Sequence, residues 1–190
     1  MRCRWIWLAA WVGLAAVACG EPPAIQPPPA DANQSPFSEF NQRVSDYVDL
    51  HKRAARPLGD ADDSKSPADI TARETSLANA IRAARPQAKA GDLFIPPVAA
   101  VLKELIAANY RRSPDVRDTR KDAEKELPDF TPIVNEIYPS THPLGTFPPT
   151  LLTVLPSLPE EVEYRIVTHH LILRDVSANL IVDVLPNAVP

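Results

Sequence analysis

Imidazoles, carboxylates and guanidinium groups set the chemistry open to this chain. His169 and His170 are adjacent, and Asp175 follows close behind. Imidazole and carboxylate together suit zinc or nickel, so convergence of these three would make a metal-handling site. Neighbouring strand residues point to opposite faces, so the pair needs a distorted backbone to share one ion. Polar hairpin residues are the simpler reading. His142 stands with Ser140 and Thr141 in a proline-rich stretch, and His51 closes the first helical pattern, where a cation meets the helix dipole favourably. A hydrolase built from scattered Asp, Glu and His residues would need His142 or His170 beside a buried carboxylate. Asp60, Asp62 and Asp63 cluster without the glycine and distant bidentate glutamate of a calcium loop,. Arg82, Arg85 and Lys89, with Arg73 some turns earlier, read as the polar face of an amphipathic helix rather than an anion-binding stripe,.

Standard catalytic spacings are missing. No Gly-x-Ser-x-Gly elbow and no His-Glu-x-x-His occurs, and five glycines do not assemble a phosphate-cradling loop,. No catalytic residue, metal ligand or cofactor site is therefore assigned.

The thiols point elsewhere. Both cysteines, Cys3 and Cys19, sit at the N-terminus, with Arg2 and Arg4 ahead of an uncharged apolar run that Cys19 closes. A basic start, a short apolar stretch and small residues at the exit are the layout of a secretory signal peptide. The run is shorter than the roughly 20 residues that span a bilayer. Ala16-Val17-Ala18-Cys19 resembles the cleavage region of bacterial lipoprotein signals, although those carry leucine where Ala16 stands. The resemblance implies cleavage between Ala18 and Cys19 and lipid attachment to Cys19. Ala16 and Ala18 also satisfy the small-x-small rule of ordinary signal cleavage, so simple secretion is the first alternative and an uncleaved anchor the second. Removing the 18 leader residues of 190 takes away two arginines and shifts the formal charge from −4 to −6. That balance argues against a nucleic-acid partner. One surviving cysteine excludes an intrachain disulfide framework.

These groups need a scaffold, and the pattern of prolines and periods supplies one. Residues 1–18 are the leader, 19–34 a proline-rich tether, and 35–190 a single α+β domain. Helices are expected over about 36–127. Phe37, Phe40, Val44, Tyr47, Val48 and His51 share one face of the first,. Ser66-Pro67 opens the second with a capping-box-like Asp69, and its apolar stripe reads Ile70, Leu77, Ile81 and Ala84. Pro96-Pro97 opens the third, with Val98, Val101, Leu102, Leu105 and Ile106. A fourth, over 115–126, is almost wholly charged. Eight of the 22 prolines fall in 128–159, where only a short strand at 133–138 and one helical turn at 149–154 are expected. Alternation then predicts a three-stranded antiparallel β-meander over 160–186. Leu171, Leu173, Leu180, Val182 and Val184 fall on its inner face, and Arg165, Arg174 and Asp183 on its outer face. Three strands alone are barely stable, so the sheet should pack on the helices.

Residues 46–51 (DYVDLH), 81–94 (IRAARPQAKAGDLF), 148–159 (PPTLLTVLPSLP) and 163–186 (EYRIVTHHLILRDVSANLIVDVLP) resemble an uncharacterised family of exported bacterial proteins, read as lipoproteins. The resemblance brings no activity and no catalytic residues. The last stretch alone is also similar to the β-meander ending several small periplasmic proteins, a nickel/cobalt-homeostasis family among them. Together these readings imply a bacterial cell-envelope lipoprotein. It would be held to the membrane by its N-terminal lipid at the periplasmic face, on the outer membrane where there is one, because Gly20 rather than aspartate follows Cys19. Its expected work is non-enzymatic binding or scaffolding with an envelope protein partner. A secreted or periplasmic hydrolase and a periplasmic metal-handling protein are the alternatives.

Overall fold

Proline opens every α-helix of the described part of this chain. The computed structural model describes residues 36–59, 66–112, 130–144 and 147–190. The leader, Cys19, the tether, the Asp60, Asp62 and Asp63 cluster and the charged helix expected over 115–126 lie outside them. Helix α1 spans Pro36–Ala55, α2 Pro67–Ala84, α3 Pro96–Arg112, and a single turn, α4, Pro149–Leu152. Proline has no N–H and a preset φ, which suits a first helical position. Ser66 caps α2: its hydroxyl accepts from the Asp69 amide at 3.2 Å, and the Asp69 carboxylate accepts from the Ser66 amide at 3.1 Å. The helix stops ahead of Arg85-Pro86, because the residue before proline is steered out of the helical region.

The buried face of α1 carries Phe40, Val44, Tyr47, Val48 and His51, and that of α3 carries Val98, Leu102, Ile106 and Tyr110. In α2 the stripe is Leu77, Ala78 and Ile81; Ile70 is 56% exposed and Ala84 is exposed. Residues 67–72 are all exposed, so the first turns of α2 run past the layer they would have packed against.

Strands β1 (Val162–Val167), β2 (His170–Asp175) and β3 (Leu180–Leu185) form one antiparallel sheet in the order β1-β2-β3. The fold is α+β, with helices in the N-terminal half and the sheet at the C-terminus. Asn179, at φ 48°, sits in the turn between β2 and β3, as asparagine tolerates. The strand expected at 133–138 reduces to one bridge, Ile137 with Leu180, since Asn135 takes φ 65°, outside extended backbone,.

A bulge corrects the expected faces of β3. Leu173 pairs with Asp183 while Arg174 pairs with Ile181, which leaves Val182 as the extra residue,. Val182 and Asp183 therefore both face the helices. Val184, expected on that inner face, turns outward with Val167, Ile172 and Ile181. The outer face is covered as well: Tyr138 is buried there, with Phe130 and Val134 packed beside it.

Candidate functional site

Two buried aspartates tie the sheet to the helices. Tyr47 and His51 lie four residues apart on α1, hence on one face, and both reach the last residue of β2. The Tyr47 hydroxyl donates to Asp175 Oδ2 at 2.7 Å, and His51 Nδ1 meets the same oxygen at 2.6 Å. The other oxygen accepts from the Ala178 amide at 2.8 Å. Burial first, and the adjacent carboxylate second, push the Tyr47 phenol far above its ordinary value, so it stays a neutral donor.

Asp183 holds the second tie. Its carboxylate accepts from the amides of Gly91 (2.8 Å), Leu93 (2.7 Å), Phe94 (2.7 Å) and its own neighbour Val184 (2.7 Å). Gly91 takes φ 87°, in the left-handed region where a side chain is strained, and so turns the α2–α3 loop to aim its amides at one acceptor. Burial pushes the Asp183 carboxyl above the usual carboxylate range, and the four amides pull against that shift.

Arg85 lies between the two ties. Its guanidinium sits 5.3 Å from the Tyr47 ring centroid and donates to the Val182 carbonyl at 3.1 Å. Burial lowers it from its ordinary value. Arg82 donates to the Asn135 carbonyl at 2.6 Å, Asn135 returns a bond to the Arg85 carbonyl at 3.0 Å, and Arg73 donates to the Leu58 carbonyl at 2.7 Å. The basic side of α2 is thus largely spent on crosslinks within the fold. His51, Asp175, Tyr47, Arg85 and Asp183 form a polar seam between helices and sheet.

His51 beside an ionisable buried carboxylate has the form of a base with its orienting acid. Its side chain is 8% exposed, and the other partners of the carboxylate are a backbone amide and the Tyr47 phenol, which is buried and held in its neutral form. The pair sets the orientation of the imidazole and the position of α1 against the sheet. The helix-dipole role expected for His51 is replaced by this contact.

The remaining histidines stay apart from the carboxylates. His142 is buried against Phe130 and Tyr138, with ring centroids at 5.4 and 6.0 Å. His169 Nδ1 lies 3.2 Å from the Val189 carbonyl. His170 opens β2 and Asp175 closes it, so a metal site of His169, His170 and Asp175 does not form. Among the described residues no three His, Cys, Asp or Glu side chains converge on a metal position. Neither His142 nor His170 gains the buried carboxylate that a hydrolase required.

Open surface chemistry lies along β1. A trough of about 440 Å³ is lined by Val162, Glu163, Tyr164 and Arg165 of the strand, and by Phe147, Leu152 and the Pro156 to Leu158 segment across from it. Residues from both faces of β1 line it, so it follows the strand edge. Phe147 stacks on Tyr164 at 6.1 Å, and the Tyr164 hydroxyl donates to the Pro156 carbonyl at 3.2 Å. Glu163 accepts from Arg165 and, at 2.6 Å, from Arg174. Sequence reasoning missed both the seam and the trough. The signal for the seam was a single aspartate embedded in the apolar run of β3, where a charge survives only with partners.

Comparison with protein-family models, with curated proteins and with solved structures found no match in any of the three.

Proposed function

We propose that the chain is an exported cell-envelope lipoprotein, anchored through a lipid on Cys19. It works at the periplasmic membrane face as a non-enzymatic binding or scaffolding module. The outer membrane is its site in a two-membrane cell, and its partner is an envelope protein. One observation carries the non-enzymatic part. The groups best suited to chemistry, His51, Asp175 and Asp183, are buried and bonded into the seam, whereas in the accessible trough along β1 Glu163 is held by Arg165 and Arg174, the Tyr164 hydroxyl donates to the Pro156 carbonyl, and no histidine lies among the lining residues to activate Ser157. The leader supports the anchor: a basic start, a short apolar run and a cysteine at its exit,. No helix among the described residues is long and apolar enough to cross a membrane, so attachment through lipid fits an otherwise water-facing domain.

Fractionation tests this reading. The wild-type chain should sediment with membranes and resist extraction by high salt, and Cys19→Ala should move to the soluble periplasmic fraction. A wild-type chain found soluble would contradict the anchor.

A further inference from the structure

The two edges of the sheet are finished differently. Beside β3, the Asn135 amide donates to the Ile181 carbonyl, the Tyr138 amide to Asn179, and the Ile181 amide to Glu136, so that edge is capped by backbone. β1 ends the sheet on the other side, and among the described residues no strand adds to its outer edge. Val162–Val167 contains no proline, no lysine and no bulge; its charges are Glu163 and Arg165, and at its first residue the Val162 amide donates back to the Pro159 carbonyl at 3.2 Å,. The trough leaves space beside it.

We propose that a second copy of this chain docks at that edge, β1 against β1 about a two-fold axis, making one continuous six-stranded sheet. The proposal rests on the binding reading above and deepens it, naming the β1 edge as the surface and a second copy as the envelope partner.

Charge order along β1 names the occupant. In an antiparallel self-pairing centred on Tyr164, Glu163 of each copy faces Arg165 of the other, and Val162 faces Ile166. The strand is therefore complementary to its own image, as an isologous contact requires, and opposite charges directly across a sheet are favourable. Moving the centre by one residue sets Glu163 against Glu163, or Arg165 against Arg165, so the charges also fix the register. Burial alone would raise the Glu163 carboxyl, but its bonds from Arg165 and Arg174 hold it below the ordinary value, hence charged. Each of its oxygens accepts one such bond, which leaves lone pairs for a guanidinium of the second copy.

Sedimentation velocity on the full chain in detergent, from about 1 to 100 µM, tests this, because dimerisation follows mass action. Wild type should shift from monomer to dimer over that range. Arg165→Glu should weaken the dimer by roughly tenfold or more, since like charges then face each other. Reversing Glu163, Arg165 and Arg174 together should restore it. Hydrogen exchange on wild type needs no variant to fold: β1 amides should slow as the dimer fills. A monomer at the highest concentration, with fast β1 exchange, would overturn the proposal and leave the edge to an extended peptide of another protein. A dimer whose β1 exchange ignores concentration would overturn it by placing the contact elsewhere. Anchoring is read by fractionation, so either result leaves the lipoprotein reading to its own test.

Discussion

At the scale of single residues, Asp183 is the costliest group to replace. Four backbone amides converge on a carboxylate that is 0% exposed. A buried donor left without an acceptor costs about 1–3 kcal/mol. Asp183→Ala orphans several at once and should cost at least about 3 kcal/mol. Urea denaturation checks this; a loss under about 1 kcal/mol would mean that water replaces the carboxylate at little cost. His170 gives the pH-dependent counterpart. Burial, then the neighbouring His169, hold its imidazole below the ordinary value of 6.5. The folded state thus binds this proton less readily than the unfolded chain. Its share of stability is intact above pH 6.5 and is lost as pH falls through the unfolded value towards the folded one. Thermal melts from pH 7.5 down to 5 should show His170→Gln losing less stability than wild type, and parallel curves would contradict the shift.

Elements were largely legible because their signals are local. Ser66-Pro67 with Asp69 predicts the start of α2, and the structure closes that capping box. Alternation from Val162 onward predicts three strands at the observed places. The bulge was not legible, because an extra residue in a ladder leaves no mark on the period before it. Its trace lay in composition: Leu171-Ile172-Leu173 and the β3 residues Leu180 to Leu185 are nearly continuous apolar runs, which fit strands buried on both faces better than a half-exposed sheet. On either side of Val182 the register is regular, and removing that residue would leave Asp183 facing the helices. Deletion of Val182 should therefore keep a cooperative thermal melt and lose stability on the order of a truncated core side chain, about 1–3 kcal/mol. Deletion of Ile172 flips every later side chain of β2 to the other face and should abolish the melt. Circular dichroism of the two deletions compares them directly, and equal damage would contradict the register.

For the whole molecule, the sheet is the middle layer. Helices α1, α2 and α3 bury one face through Phe40, Leu77 and Leu102, and the proline-rich segment buries the other through Tyr138. The polar seam sits inside the first interface and holds it in one position. The second layer was hard to foresee because its residues make long-range backbone bonds, such as the Tyr138 amide to Asn179, without regular secondary structure of their own. With both faces covered and the β3 edge capped, the β1 edge is the one to which no described strand adds. Tethering would raise the local concentration of such a module at a surface, which favours weak self-association.

That placement depends on Cys19. Intact mass of the full chain purified from bacterial membranes, beside Cys19→Ala, tests it most directly. The expected product is a polypeptide beginning at Cys19 and carrying added acyl mass, with no acylated form in the variant. An unmodified chain beginning at Cys19, or a chain that retains residues 1–18, would contradict it.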